Sequence, residues 1–204
     1  MGEETQPKQV IDDDGLAIVT AGAATWDEVE TLFGPTGAYG GCWCLFWRQT
    51  NQEANESPPD GNHAELRRLV TSGEPIAVLA RRGETVLGWC QVAPREQFHR
   101  LFHTRALELG DDGGHRVFSI VCLFVDRSAR GQGIAGALVS GAVDLARRHG
   151  ATLVEAYPLV QAPRRTARLS SGTVDLFTRA GFRSGPASTS SRTVMTLPLD
   201  QEAR

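Results

Sequence analysis

The 204-residue chain has one lysine, Lys8, so arginine carries almost all of its positive charge. That charge is not in excess. The formal net charge is −3, which leaves no basic surplus for a nucleic-acid-binding face. No apolar run approaches the roughly 18 residues of a membrane span. The opening stretch MGEETQPKQVIDDDG is acidic and polar, the reverse of a secretory leader. It matches a myristoylation signal only in part, because Gln6 stands where Ser or Thr is required. Four cysteines in a chain of this length do not make a disulfide framework. There is no internal repeat and no linker that would divide the chain. These absences predict a cytoplasmic protein with reduced thiols, making no contact with nucleic acid or membrane. A content of 41% hydrophobic residues is enough for one core. The expected organisation is a disordered lead-in over residues 1–14 and a single domain over 15–204.

The pattern of apolar residues predicts the order β-α-α-β-β-β-α-β-α-β. GLAIVTA (15–21) is a first strand, and Thr25 with Glu28 form a capping box before Trp26, Val29, Leu32 and Phe33. Asn62 and Glu65 cap a second helix that stops at Gly73. PIAVLAR and GETVLGWCQVAPR pair as a hairpin around Arg82-Gly83-Glu84. Phe98, Leu101 and Phe102 have helical spacing, and RVFSIVCLFV (116–125) is apolar on both faces, as a central strand is. Ile134, Leu138, Val139, Ala142 and Leu145 stripe a helix. ATLVEAYP and RTVMTLPL are strands, GTVDLFTRAGF is a short helix, and Ser-rich 184–191 is a turn or flexible loop. Directly successive strands pair antiparallel, whereas the strand–helix–strand unit at 116–158 predicts a parallel pair. The fold class is therefore α/β, a mixed sheet flanked by helices.

Residues 130–136, RGQGIAG, spell two signatures at once. Both place a glycine loop at a helix N-terminus, where unpaired N–H groups and the helix dipole favour a phosphate. Gly131, Gly133 and Gly136 satisfy the dinucleotide pattern G-x-G-x-x-G, and Glu155 stands 19 residues after Gly136, where a ribose-binding acid is expected. Against that reading, the spacer DRSAR separates Val125 from Gly131, although the first glycine should turn directly off the strand. Too little chain follows Glu155 for the remaining βαβ units. Arg130, Gly133 and Ala135 also satisfy R-x-x-G-x-A, a pyrophosphate loop for acyl-coenzyme A. On this second spelling Gly136 is a small residue that packs the helix on the sheet.

Residues 117–182 resemble the GNAT superfamily of N-acetyltransferases: an apolar strand, V-x-x-x-x-RGQGIA, a helix, a strand, then LFTRAGF. GCWC-x-x-WR at 41–48, GWC-x-VAPRE at 88–96 and AYP at 156–158 resemble a bacterial subgroup of that family. The resemblance implies a mixed, mostly antiparallel sheet that splays between its fourth and fifth strands, with acetyl-CoA as co-substrate and no metal. The pyrophosphate would meet the backbone of Arg130, Gly131, Gln132, Gly133, Ile134 and Ala135. Freed N–H groups of a bulged strand would meet the acetyl carbonyl and pantetheine from Leu123, Phe124 and Val125. The implied reaction moves an acetyl group to a primary amine of a small molecule or peptide end by direct attack on the thioester. A homodimer is compatible with this reading.

Three positions depart from the family pattern. Arg127 replaces a frequent Pro, Ser170 stands where Asn is common, and Phe177 stands where a Tyr often protonates the departing thiolate. Tyr157 is the substitute donor by sequence logic, and Glu155, on the same strand face by the period of two, is a base or an amine anchor. Both also have a structural reading, Tyr157 as packing and Glu155 as partner of an arginine. Trp43, Phe46 and Trp47 are expected either to wall the acceptor site or to plug the core. Glu96 and the acids of 108–112 lie on a segment able to attract a cationic acceptor. Cys42 with Cys44, and His99 with His103, form two pairs of metal-ligand type. A single Trp43 between the cysteines is too short and too apolar a spacer for zinc, so no metal is expected. Cys90 and Cys122 belong to strand patterns. An acyl-CoA-binding regulator or inactive relative is the alternative, and it rests on Phe177 and Ser170.

Overall fold

A computed structural model describes residues 10–11, 15–57, 60–104, 107, 113–160, 170–188 and 192–199. Its strands are β1 (Val10–Ile11), β2 (Leu16–Thr20), β3 (Ala77–Arg82), β4 (Thr85–Pro94), β5 (Val117–Val125), β6 (Leu153–Ala156), β7 (Arg183–Ser188) and β8 (Thr193–Pro198). The helices are α1 (Trp26–Phe33), α2 (Asn51–Glu56), α3 (Gly61–Thr71), α4 (His99–Phe102), α5 (Ile134–Arg148) and α6 (Val174–Arg179). The eight strands form one sheet in the order β1-β2-β3-β4-β5-β6-β8-β7. Every neighbouring pair is antiparallel except β5 and β6. This is the mixed α/β sheet expected. No described helix is long and apolar enough to cross a membrane.

Each face of the sheet buries its own cluster. On one, α5 presents the expected stripe, Ile134, Leu138, Val139, Ala142 and Leu145, to Cys90, Val92, Phe118 and Ile120. On the other, Trp26, Val29 and Phe33 of α1 and Leu66 and Val70 of α3 meet Leu79, Trp89 and Ala93. Backbone without a side chain brings α5 this close. A Cβ on Gly141 would lie 2.3 Å from Ile18 Cγ2, and one on Gly88 would lie 2.9 Å from Leu138 Cδ1. Gly136 does not share this role: a Cβ there would meet nothing within 4 Å.

Several local expectations are corrected. Val10 and Ile11, within the presumed disordered lead-in, pair with Ile18 and Ala17, while residues 1–9 and 12–14 lie outside the described set. Ser-rich 184–188 belongs to β7, held by pairing with β8. Thr25 does not cap α1 with its side chain; its Oγ1 bonds Gly22 instead, and Glu28 pairs with Arg81 at 3.2 Å. The N-cap of α3 is Asp60, and Asn62 donates to Gly41 O and accepts from Gln49. A reciprocal capping box instead joins Thr50 and Glu53 at α2.

Candidate active site

Strand β5 runs from Val117 to Val125, but it pairs with β6 only from Val117↔Leu153 to Ile120↔Ala156. Beyond Ile120 the two strands separate. These are the fourth and fifth strands of the sequence reading, so the splay falls where it was expected. On the other edge, Cys122 faces Gln91 and Ile120 faces Val92, which leaves Val121 as an extra residue. This is a β-bulge. It reverses the alternation of side chains, since Phe118, Ile120 and Leu123 join the α5 cluster while Val121 and Cys122 both join the opposite one. Asp126 N–H donates to Leu87 O on the β4 side. By strand alternation the N–H groups of Leu123 and Val125 point to the other edge, which β6 has left open.

A cavity of about 630 Å³ lies against this opening. Of the residues assigned to the co-substrate, Leu123, Phe124, Val125, Arg130, Gly131, Gly133, Ile134 and Ala135 line it. Gln132 does not: its side chain accepts from Arg82 at 3.3 Å and donates to Ser128 O at 3.1 Å. Gly131 (φ 77°) and Gly133 (φ 78°) are left-handed, a conformation that costs glycine nothing. Gly133 is the N-cap of the 15-residue α5 and offers no capping side chain. Gly136 and Ala137 N–H donate to Gly133 O, but among the described residues the N–H groups of Gly131 to Ala135 meet no acceptor. The foot of the cavity is therefore an anion cradle, with Arg130 and Arg179 on its wall. These features fit a pyrophosphate.

The cavity wall also holds residues the sequence did not single out for it: Tyr39, Gly136, Ser140, Gly172 and Thr173. Ser170 lines it too. Phe177 does not; it is fully buried edge-to-face on Phe182, 5.2 Å between centroids. The chain has only two tyrosines, Tyr39 and Tyr157. Tyr39 is 62% exposed, on the cavity wall.

Tyr157 and Glu155 come together in a buried polar network on the face away from α5. Tyr157 Oη donates to Glu155 Oε2 at 2.7 Å and lies 2.7 Å from Ser119 Oγ. Arg95 Nη1 reaches Glu155 Oε1 at 3.2 Å. Burial, then the Glu155 carboxylate, pushes the Tyr157 phenol well above its usual pKa, so it keeps its proton. Neither side chain is part of the cavity wall. Gln91 projects from β4 on the same face, fully buried, and neither of its amide atoms has a partner among the described residues. Only distant strand neighbours reveal Arg95, Ser119 and Gln91 as members of this group.

The aromatic run divides. Trp43 packs among Trp26, Phe33 and His63 and lines a separate cavity beside Glu30 and Asp60. Phe46 and Trp47 line another, of about 690 Å³, with Arg100, His103, Thr104 and Arg192. The three rings thus do not make one wall. Arg192 lies over the Trp47 ring and donates to Tyr157 O at 2.8 Å, which links this second cavity to the buried network. Glu96 is exposed in a 3-10 turn whose first residue, Arg95, is buried. The acids of 108–112 lie outside the described residues. Cys44 meets Cys122 rather than His99 or His103, and no described group of three or more His, Cys, Asp or Glu side chains is arranged for a metal ion.

Comparison with known proteins agrees with this geometry. The model of the acetyltransferase (GNAT) family matches residues 42–182. A Salmonella typhimurium protein solved with its cofactor acetyl-CoA is 17% identical over 93% of this chain and 97% of its own, with a TM-score of 0.51. A GCN5-related N-acetyltransferase from Kribbella flavida is 22% identical over 92% and 100%, with a TM-score of 0.53. The ribosomal-protein-alanine N-acetyltransferase of Brucella melitensis is 16% identical over 89% and 99%, with a TM-score of 0.52. No curated protein matches by sequence. At these identities the solved structures speak for the fold, and the family match covers well over half of the sequence. The chain belongs to the acetyltransferase (GNAT) family.

Proposed function

We propose that the chain moves an acetyl group from acetyl-CoA to a primary amine of a small molecule or a peptide end. The observation that carries this reading is the row of N–H groups from Gly131 to Ala135, without acceptors among the described residues, at the foot of the cavity opened by β5 and β6. In this reading those groups and Arg130 hold the pyrophosphate, and the Leu123 and Val125 N–H groups hold pantetheine and the acetyl carbonyl. Donors already fixed in a strand suit an oxygen that gains negative charge during attack, because they need not reorganise. Acetyl-CoA supplies the thioester.

The acceptor approaches from the other face, through the cavity lined by Phe46 and Trp47 toward the buried network. Its amine must arrive neutral, and the proton it releases on attack has to be taken up. Glu155 receives that proton in this scheme, with Tyr157 and Arg95 holding the carboxylate in place. The orphan amide of Gln91 supplies a hydrogen bond that an acceptor group can complete. Glu96 is proposed only as an exposed charge on the acceptor side.

A regulator that binds acyl-CoA without turnover is the second reading. It is favoured by Phe177, which is buried and has no proton to give, and by a network that does not reach the co-substrate cavity. Thiol release measured across a panel of amines, beside direct binding of acetyl-CoA, separates the two. Turnover with at least one amine is expected. Binding with no turnover on any amine would establish the regulator.

A further inference from the structure

Three of the four cysteines converge at one point that acetyl transfer does not use. Cys44 and Cys122 are 78 positions apart in sequence, yet their sulfurs lie 2.9 Å apart in a buried contact. Cys42 precedes Cys44 by two residues and is only partly buried, so a small reagent can reach it. The turn that aims these thiols is unusual in its backbone. Trp43 (φ 44°) and Cys44 (φ 52°) are both left-handed without being glycine. Each such residue is strained and persists only where its surroundings hold it. The surroundings here are visible: the Trp43 ring is fixed by Trp26, Phe33 and His63, and Gly37 leaves it room, since a Cβ there would lie 2.4 Å from Trp43 Nε1. On the opposite side, Cys122 is turned toward Cys44 by the bulge of β5. Cys90, by contrast, belongs to the cluster on the α5 face.

We propose that Cys42, Cys44 and Cys122 form a thiol–disulfide relay that accepts oxidising equivalents from a low-molecular-weight disulfide and stores them as a Cys44–Cys122 bond. The Cys42 thiolate attacks one sulfur of the disulfide RSSR, forming a Cys42 mixed disulfide and releasing RS⁻. The first RS⁻ takes the Cys44 proton and leaves as RSH, and the Cys44 thiolate attacks the Cys42 sulfur and releases the second RS⁻. The second RS⁻ takes the Cys122 proton and leaves as RSH, and the Cys122 thiolate attacks the Cys44 sulfur and expels Cys42 as thiolate. Two protein thiols are oxidised and RSSR is reduced to two RSH. Closing Cys44 and Cys122 to a bond of about 2.05 Å needs roughly 0.9 Å of approach. A hydrogen bond from the Cys44 thiol is the main cause that lowers the Cys42 pKa from 9.0 to about 6. Burial pushes Cys44 well above 9.0, so it stays a proton donor. Cys42 is thereby both the ready nucleophile at neutral pH and the better leaving group in the last exchange.

The full chain, treated with oxidised glutathione, alkylated under denaturing conditions and mapped by mass spectrometry, tests the relay. The expected product is a chain lighter by two hydrogens that yields a peptide joining residues 44 and 122. Its rate of formation should follow the ionisation of a group with a midpoint near pH 6. Cys42→Ser, folded by circular dichroism, should slow formation by about tenfold or more. Glutathione retained on Cys42 with no 44–122 peptide would overturn the proposal. So would a rate that rises only toward pH 9 in the unsubstituted chain, or one unchanged by Cys42→Ser.

Discussion

Gln91 keeps an amide buried with both polar atoms lacking partners among the described residues, and an unsatisfied group of that kind costs about 1–3 kcal/mol. Gln91→Leu removes the amide at similar volume, so we expect a gain of about 1–2 kcal/mol in chemical denaturation, together with a raised KM for the acceptor amine. A loss of stability would show that the amide is satisfied in solution. Cys42 is the second residue whose surroundings set its behaviour. Folding lowers its pKa, so the stability it contributes is complete above pH 9 and fades as the pH falls toward 6. Alkylation of the native chain by iodoacetamide should show a midpoint near pH 6, and Cys44→Ala should move that midpoint upward. In the sequence Gln91 was legible only as a strand position, and Cys42 only as one half of a metal-type pair with Cys44. Gln91 is buried by packing between elements, and the turn that sets Cys42 against Cys44 depends on two left-handed residues, Trp43 and Cys44, that the residue types do not announce.

Among elements, α5 and the loop before it were the most legible. Gly131 and Gly133 announce a backbone conformation that few other residues adopt, and the apolar stripe from Ile134 to Leu145 has one helical solution. The glycine that seats this helix was misread, however. Gly136 faces the cavity, while Gly141 touches Ile18 and Gly88 touches Leu138. Gly141→Val should therefore destabilise the fold by about 1–3 kcal/mol through overpacking. Ile18→Ala in the same chain should recover part of that loss, a coupling readable in a double-mutant cycle. The capping residues were misplaced because Thr25 and Asn62 have backbone partners elsewhere that compete with a cap. Strand β7 was hidden by its Ser-Gly-Pro composition, which pairing with β8 overrides.

For the whole molecule, the sheet opens where β5 outlasts β6, and the anion cradle of α5 stands at that opening. The order of strands and helices made this geometry predictable. The second cavity and the buried network depended on long-range packing, and so did the separation of Trp43 from Trp47. Cavity and cradle together make the central claim: acetyl-CoA binds along Leu123–Val125 with its pyrophosphate on Gly131–Ala135. If it does, acetyl-CoA at about 100 times its Kd should stabilise the chain by roughly 2.7 kcal/mol. The most direct measurement is isothermal titration of acetyl-CoA into the unsubstituted chain and into Gly133→Val, both shown to be folded by circular dichroism. Valine there must adopt φ 78° or rebuild the cradle. The account predicts saturable one-to-one binding to the first and a loss of at least about a hundredfold in the second, or roughly 2.7 kcal/mol. Equal affinity in the two chains, or no binding to the first, would contradict it.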